Sequence, residues 1–249
     1  QRQMADLCEK LNELAPLHDL SQVAMEIDPR TVTRDDLKHY ASLGVNRISF
    51  GVQDFDINVQ EAINRVQPPE LIDDLLLERH RFGGVNFDLL YGLPKQTRQT
   101  IKATLDHVLR MMPERITLLK YCHAPEVRRH MRLINVTDMP PADDLPQMFL
   151  DITERLLAAG YLWIGLDHFC LPTDALSKRV VRTFNGFSSG TEQMIGLGPT
   201  TTAVLNDVYA QSQYELNNYY AAVKRGELPI FRGYRMTQDD QIRRKTIFR

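Results

Sequence analysis

Four short apolar segments in the first half of the chain each end at or beside a polar or reactive side chain. These side chains are Glu26, Gln53, Asp88 and Cys122. A carboxylate accepts hydrogen bonds from hydroxyls or amines, and an amide both donates and accepts them. Taken together, the four predict a site for a nucleoside or an amino-acid ligand. Each one alone is equally consistent with a polar group that hydrogen-bonds to a loop.

Three further positions carry groups that could take part in such a site. Arg65 follows the second apolar segment, and its planar guanidinium suits a carboxylate, although a solvated loop arginine has the same pattern. The Gly-Leu-Gly at residues 196–198 indicates a tight turn, because its spacing does not match a dinucleotide fingerprint. His168 follows Asp167, which predicts either an acid–base pair or a structural hydrogen bond.

The sequence contains no pattern typical of a disulfide framework, a zinc site or a hydrolase. Cys8, Cys122 and Cys170 are an odd number of widely separated cysteines, which argues against a disulfide framework or a local cluster motif. The histidines near Cys122 and at residue 168 do not have zinc-ligand spacing. The chain also lacks the Gly-x-Ser-x-Gly of many hydrolases. We therefore predict no metal ligand and no hydrolytic nucleophile in this chain.

Alternating strands and helices must position these side chains. Apolar runs predict strands over residues 23–27, 45–52, 85–90 and 116–121, and helical spacing predicts helices over 3–15, 34–43, 69–82 and 99–112. Thr33 is the expected N-cap of the second helix, which ends at Gly44. Repeated strand–helix units favour a parallel α/β barrel or partial barrel. The carboxyl ends of its strands meet at one face, where the four polar groups converge.

The regular alternation of predicted strands and helices ends after residue 125. A charged, turn-rich stretch precedes a predicted helix over 145–159 and a strand over 161–165, followed by a glycine-rich stretch over 185–198, a helix over 213–224 and a polar end. We therefore predict a partial barrel over residues 1–125. Residues 126–249 are expected to complete the barrel and begin a C-terminal α/β region.

Composition and charge exclude several classes of protein. The chain has 249 residues, of which 43% are hydrophobic and 25% charged, and its formal net charge is −2. This is the composition of a folded protein without the broad basic surface that nucleic acids or anionic membranes attract. No apolar run approaches the roughly 20 residues of a membrane span. We expect a cytoplasmic protein that binds neither nucleic acid nor membrane.

Five motifs, in this order along nearly the whole chain, resemble those of the oxygen-independent coproporphyrinogen III oxidases, radical S-adenosylmethionine enzymes of haem biosynthesis. The motifs are Glu26-Ile27-Asp28-Pro29-Arg30, Gly51-Val52-Gln53-Asp54-Phe55, Asn64-Arg65, Asp88-Leu89-Leu90-Tyr91-Gly92-Leu93-Pro94-Lys95-Gln96-Thr97 and Gly165-Leu166-Asp167-His168-Phe169. Each motif alone is weak, whereas the ordered set is specific to this family.

The resemblance implies a fold, a reaction and cofactors. The fold is a radical S-adenosylmethionine type of (β/α) barrel, and the enzyme is a monomer. Two propionate groups of coproporphyrinogen III are oxidatively decarboxylated to vinyl groups, which yields protoporphyrinogen IX. A [4Fe-4S] cluster, reduced by an electron donor, cleaves S-adenosylmethionine, and the 5′-deoxyadenosyl radical takes a hydrogen atom from the propionate β-carbon.

The resemblance also implies roles for individual residues, carried over by position. Glu26 matches a contact to the cluster-bound S-adenosylmethionine, and Gln53, Arg65 and Asp88 match contacts to a second S-adenosylmethionine. Cys122 stands where a backbone contact is expected, and Thr202 aligns with a ligand-contacting position after the Gly-x-Gly turn. The resemblance assigns no catalytic side chain and no metal ligand within this chain.

The sequence departs from the family pattern at its start. The Cys-x-x-x-Cys-x-x-Cys that holds the cluster, and the Gly-rich segment that follows the family's second strand, are absent from these residues. We therefore expect a fragment that lacks the first two strands, with the cluster ligands upstream of Gln1.

Three alternatives remain open: a haem chaperone of the same fold, an enzyme that opens haem anaerobically, and a cluster-free binding module. Lys95, the Gly165–Phe169 motif and Arg182-Thr183-Phe184-Asn185-Gly186 favour the oxidase.

Overall fold

A six-stranded sheet is the centre of the first of two units into which the chain divides, Gln1–Val180 and Val181–Arg249. The computed structural model describes residues 2–14, 16, 22–165, 167–178 and 193–247. Leu166, the motif at 182–186 and most of the glycine-rich stretch at 185–198 lie outside the described residues. The predicted division of the barrel into residues 1–125 and 126–249 stays a prediction.

The first four strands run parallel and neighbour one another in chain order, as the sequence predicts. They are β1 (Ala24–Ile27), β2 (Arg47–Gln53), β3 (Val85–Tyr91) and β4 (Arg115–Lys120). Two antiparallel strands, β5 (Leu162–Gly165) and β6 (His168–Cys170), follow β4 in the sheet order β1-β2-β3-β4-β6-β5. Strand β6 was not predicted, because three residues are too few to show a period.

Six helices are described in this unit, and most match the predicted positions. They are α1 (Arg2–Leu14), α2 (Arg34–Ser42), α3 (Ile57–Ala62), α4 (Pro69–Leu76), α5 (Arg98–Met111) and α6 (Leu145–Ala158). The Thr33 hydroxyl accepts a hydrogen bond from the Asp36 amide, and the Asp36 carboxylate accepts one from the Thr33 amide, which forms a capping box. Gly44 follows α2 with a φ of 97°, the left-handed conformation that ends many helices.

The helix predicted over 69–82 is shorter in the structure. It ends at Leu76, and a 3-10 turn over Arg79–Arg81 follows. The Glu78 carboxylate accepts hydrogen bonds from Arg34 on α2 at 2.8 Å and from Arg81 at 2.6 Å. These ion pairs hold the chain in the tighter turn. Helix α3 was not predicted, because it is only six residues long and its cap, Asp56, lies three residues after the end of β2.

The two faces of the six-stranded sheet differ in chemistry because side chains alternate along each strand. One face is apolar and packs against the helices. Its fully buried residues include Ile48, Phe50, Val52, Val85, Phe87, Leu89, Ile116, Leu118 and Phe169, which join helix residues such as Leu37, Ile72, Ile101, Leu105 and Ile152 in one core. Each such side chain contributes about 1.5–3 kcal/mol on burial. The other face carries the polar residues of the same strands.

A buried ion-pair cluster lies on this polar face, at the amino-terminal ends of the parallel strands. Asp174 accepts hydrogen bonds from Arg47 at 2.7 Å and from Arg115 at 2.9 and 2.7 Å. Arg47 begins β2 and Arg115 begins β4, whereas Asp174 lies in the loop after β6. The cluster therefore ties the starts of two parallel strands to the end of the unit.

The second unit contains an antiparallel sheet and two described helices, in agreement with the predicted α/β extension. The sheet consists of β7 (Thr202–Leu205), β8 (Val208–Ser212) and β9 (Ile230–Arg235), and the helices are α7 (Leu216–Lys224) and α8 (Gln238–Ile247). No element was predicted for the polar end of the sequence, and the structure shows that it forms β9 and α8. Every residue of β9 is exposed, so the strand lacks the buried alternation that reveals most strands. In the part of the chain that the structure describes, no helix has the length and apolarity to cross a membrane.

Candidate functional site

The polar face of the first sheet carries a connected row of hydrogen-bonding side chains. Asp88 accepts hydrogen bonds from Ser49 Oγ at 2.9 Å and from Asn86 Nδ2 at 2.8 Å. Asn86 also donates to Ser49 Oγ at 2.7 Å and accepts from Thr117 Oγ1 at 3.3 Å. The Asp88 carboxylate is thus fixed by neighbours on β2 and β3. Asp88 is three residues short of the end of β3, whereas the sequence suggested a strand-end position.

Gln53 and Arg65 meet over a glycine at the carboxyl end of β2. A Cβ atom on Gly51 would lie 2.8 Å from Arg65 Nη2 and 2.9 Å from Gln53 Nε2, so both side chains occupy the space that any larger residue would fill. Gln53 has a φ of 65°, and this left-handed backbone turns its side chain back over the strand. Asp88 is the β3 partner of Gly51 in the sheet register. The structure therefore brings Gln53, Arg65 and Asp88 together.

Hydrogen bonds and charges fix the Arg65 guanidinium. Nη2 donates to the Gly51 carbonyl at 2.8 Å, Nε donates to Gln67 Oε1 at 3.0 Å, and Asp28 Oδ1 lies 3.6 Å from Nη2. Burial lowers the pKa of Arg65, and the charge of Asp28 partly offsets that effect. The hydrogen bond from Arg30 is the main cause that lowers the pKa of Asp28.

A buried polar network holds the loops after β2 and β3. The fully buried Asp54 carboxylate accepts hydrogen bonds from Thr104 Oγ1 at 2.6 Å, Gln96 Nε2 at 2.5 Å and the Asp56 amide at 2.7 Å. Gln96 Oε1 in turn accepts the Gly92 amide at 2.6 Å. Burial raises the pKa of Asp54, although its hydrogen bonds act in the opposite direction.

A pair of buried glutamines extends this support to Arg65. Gln60 donates to the Asp54 and Gln67 carbonyls, each at 2.8 Å, and accepts the Gln67 amide at 2.9 Å. Gln67 donates to the carbonyl oxygens of Gly51 and Val52. These contacts close the loop between β2 and α4, so that Arg65 returns to the end of β2.

The remaining predicted residues of the first unit lie on the same side of the sheet or next to its edge. Glu26 is exposed on β1, where its register partner is Ser49 on the polar row. Cys122 is an exposed free thiol two residues after β4. Tyr121 and His123 flank it, and the Tyr121 hydroxyl lies 3.3 Å from His123 Nδ1. Glu26 on β1 and Cys122 after β4 therefore lie on either side of Gln53, Arg65 and Asp88. No described hydrogen bond joins them to those three residues.

His168 belongs to the polar face and is held by its neighbour in sequence. Its Nδ1 lies 2.5 Å from Asp167 Oδ1, and its sheet partner is Thr117. His168 is buried, and the contact with Asp167 fixes the orientation of its imidazole.

Thr202, the last predicted site residue, begins β7 in the second unit. The turn before it is tight, as predicted, because a Cβ on Gly196 would lie 2.6 Å from the Thr202 carbonyl oxygen. Gly198 has a φ of 105°, and Thr201 Oγ1 donates to its carbonyl at 2.8 Å.

Comparisons with known proteins identify the family. The model of the radical SAM superfamily matches residues 1–108. The oxygen-independent coproporphyrinogen III oxidase of Pseudomonas aeruginosa is 37% identical over 92% of this chain and 52% of its own length. The corresponding protein of Thermostichus vulcanus is 36% identical over 91% of this chain and 73% of its own length. The solved structure of coproporphyrinogen III oxidase from Escherichia coli matches with a TM-score of 0.90 and 34% identity over 98% of this chain and 58% of that chain.

The chain belongs to the oxygen-independent coproporphyrinogen III oxidase family. This confirms the resemblance seen in the motifs, and the structural match confirms the radical SAM type of fold. The chain spans about half the length of the curated relatives first matched, between 52% and 56% of each.

Several residues that build the candidate site were given no role from the sequence. Ser49, Asn86 and Thr117 form the polar row, and Asp54, Gln60, Gln67 and Gln96 form the supporting network. A signal for the row was present, because polar and apolar residues alternate in Arg-Ile-Ser-Phe-Gly-Val-Gln and Val-Asn-Phe-Asp-Leu-Leu-Tyr. The glutamines gave no such signal, because Gln67 and Gln96 lie in loops and Gln60 lies in α3, which was not predicted.

Proposed function

We propose that this chain binds S-adenosylmethionine at the carboxyl ends of its parallel strands, as part of an oxygen-independent coproporphyrinogen III oxidase. The observation that carries the proposal is the meeting of Gln53 and Arg65 over Gly51 beside Asp88, in a chain of this family. The proposed overall reaction is oxidative decarboxylation of two propionates of coproporphyrinogen III to the vinyl groups of protoporphyrinogen IX, in haem biosynthesis.

The chemistry of the cluster suits S-adenosylmethionine. The lack of a side chain at Gly51 lets the Gln53 amide and the Arg65 guanidinium lie over the strand, beside the Asp88 carboxylate on β3. Asp88 accepts hydrogen bonds from ribose hydroxyls or the amino group, Gln53 donates and accepts, and Arg65 pairs with the ligand carboxylate. When bound, S-adenosylmethionine supplies the radical chemistry that removes a hydrogen atom from a propionate.

The resemblance further suggests two S-adenosylmethionine molecules. Glu26 would contact the one bound to the [4Fe-4S] cluster, and Gln53, Arg65 and Asp88 would contact the other. Cys122 would contribute its backbone, and Thr202 would contribute a further contact to the ligand. Among the residues that the structure describes, no three His, Cys, Asp or Glu side chains form a group able to hold a metal ion. The roles proposed for this chain therefore concern S-adenosylmethionine and the substrate, while the electron donor, the monomeric state and the cytoplasmic location stay predictions.

Calorimetric titration of the purified chain with S-adenosylmethionine tests the proposal. Arg65→Gln and Asp88→Asn each remove one charged contact, which weakens binding by about tenfold or more. The matched control is Arg110→Gln, which breaks an exposed ion pair with Asp73 of 3.0 Å on the helix side of the sheet and leaves the affinity unchanged. Absence of binding to the wild-type chain, or equal affinities for all variants, would contradict the proposed site.

A further inference from the structure

The second unit presents a basic and aromatic surface on one face of its sheet. Thr202 pairs with Gln211, and Gln211 pairs with Arg232, so these three residues form one row across β7, β8 and β9. In the next row on the same face, Tyr209 pairs with Tyr234. The two rows line a cavity of about 390 Å³. We name the five residues of these rows the β7–β9 face.

Arg232 is oriented for an anion on this face. Its Nε donates to Gln211 Oε1 at 2.8 Å, and no other described group hydrogen-bonds to its guanidinium. The two terminal nitrogens therefore have no described hydrogen bond, and a planar guanidinium can bind a carboxylate through two hydrogen bonds. Arg244 lies 5.9 Å from the centre of the Tyr209 ring and adds a second positive charge. The Asp240 carboxylate accepts hydrogen bonds from the Tyr234 hydroxyl at 2.6 Å and from Thr237 Oγ1 at 2.7 Å.

The dimensions and chemistry of the β7–β9 face suggest which anion Arg232 binds. Neighbouring strands are about 4.8 Å apart, so the row from Thr202 to Arg232 is about 10 Å across. We propose that the β7–β9 face is a substrate subsite, in which Arg232 binds a propionate carboxylate of the tetrapyrrole and the tyrosines contact its pyrrole rings. This inference rests on the proposed function, because a tetrapyrrole with propionate groups is the substrate proposed there.

Porphyrin titration of the full 249-residue chain tests the subsite. The probe is coproporphyrin III, a stable and fluorescent tetracarboxylate, and its emission is followed as protein is added. Arg232→Gln raises the dissociation constant by about tenfold or more, and Arg232→Lys by less, because a lysine retains the charge but not the fork. Arg235→Gln is the matched control, since Arg235 lies on the same strand, is 77% exposed and points to the opposite face. It leaves the dissociation constant unchanged.

Two results would overturn the subsite: no binding of coproporphyrin III by the wild-type chain, or equal losses in Arg232→Gln and Arg235→Gln. Thermal unfolding of each variant shows that the fold is retained. S-adenosylmethionine titration of the same samples separates the two proposals. Unchanged S-adenosylmethionine affinity in Arg232→Gln together with weaker porphyrin binding supports the subsite. Loss of both affinities to the same extent contradicts it.

Discussion

Asp54 accepts a hydrogen bond of 2.5 Å from Gln96, and this contact joins the loop after β2 to the loop after β3. Both partners are buried, and neither lies among the residues predicted to touch a ligand. Asp54 follows Gln53 directly, and Gln96 holds the Gly92 amide at the end of β3. The two strands that carry Gln53 and Asp88 are therefore fixed to each other at the edge where the ligand is proposed to bind.

Replacing Asp54 by asparagine is expected to destabilise the chain. Gln96 and Thr104 both donate hydrogen bonds to Asp54, so the NH2 group of an asparagine would face a donor in either orientation. One buried polar group would then lack a partner, which costs about 1–3 kcal/mol. Chemical denaturation measures this loss. Tyr161→Phe is the control, because it removes a buried hydrogen bond of 2.7 Å to Pro113 far from the site. If Asp54 positions Gln53, Asp54→Asn weakens S-adenosylmethionine binding and Tyr161→Phe does not.

A side chain at residue 51 is expected to block the site. In Gly51→Ala the new Cβ would lie 2.8 Å from Arg65 Nη2 and 2.9 Å from Gln53 Nε2, so both side chains must move. We expect S-adenosylmethionine affinity to fall by about tenfold, a change of about 1.4 kcal/mol, in calorimetric titration. Gly83→Ala is the matched control, since its Cβ would meet only the Asn46 carbonyl at 3.4 Å. Equal affinity of the Gly51→Ala and wild-type chains would show that S-adenosylmethionine does not bind beside Gly51.

The buried Asp174 cluster is expected to make stability depend on acid pH. Burial alone would raise the pKa of Asp174, but the hydrogen bonds and charges of Arg115 and Arg47 lower it below the ordinary value of 3.8. A lowered folded-state pKa means that the stabilisation is complete above about pH 4 and is lost as the pH falls below that value. At pH 7 Asp174→Asn should cost about 3–5 kcal/mol, because two buried arginines lose their partner.

Urea denaturation at pH 7, 5 and 3 measures this difference. The gap between wild type and Asp174→Asn should be similar at pH 7 and 5 and smaller at pH 3. Asp73→Asn, in an exposed ion pair with Arg110, should change the free energy of unfolding by less than about 1 kcal/mol at each pH. A gap that is unchanged at pH 3 would contradict the role given to the Asp174 carboxylate.

The three thiols are expected to differ in reactivity. Cys122 is exposed, whereas Cys8 and Cys170 are buried. Burial also raises the pKa of Cys170 to about 11, so that its reactive thiolate is scarce at neutral pH. Brief treatment of the native chain with iodoacetamide should modify Cys122 alone, as read by peptide mass spectrometry. S-adenosylmethionine should slow this modification if the ligand lies at the end of β4, and faster or equal modification would argue against that placement.

Residue types and their spacing were enough to predict the order of the four parallel strands, the family and most of the candidate ligand contacts. Apolar runs located the four parallel strands, because these strands are buried against helices and their composition shows it. Thr33 and Gly44 marked the ends of α2, because helix caps depend on local residues. Motif order identified the family, since it depends on residue identity alone.

Which of these residues lie together depends on how distant segments pack. Arg65 follows Gln53 by a loop and a short helix, and it meets Gln53 because Gln60 and Gln67 close that loop on buried carbonyls. Arg47 and Arg115 share Asp174, which lies 127 and 59 residues away along the chain. The β7–β9 face depends on the pairing of three strands. Such contacts arise from chain packing between distant segments, and no local pattern of residue types encodes them.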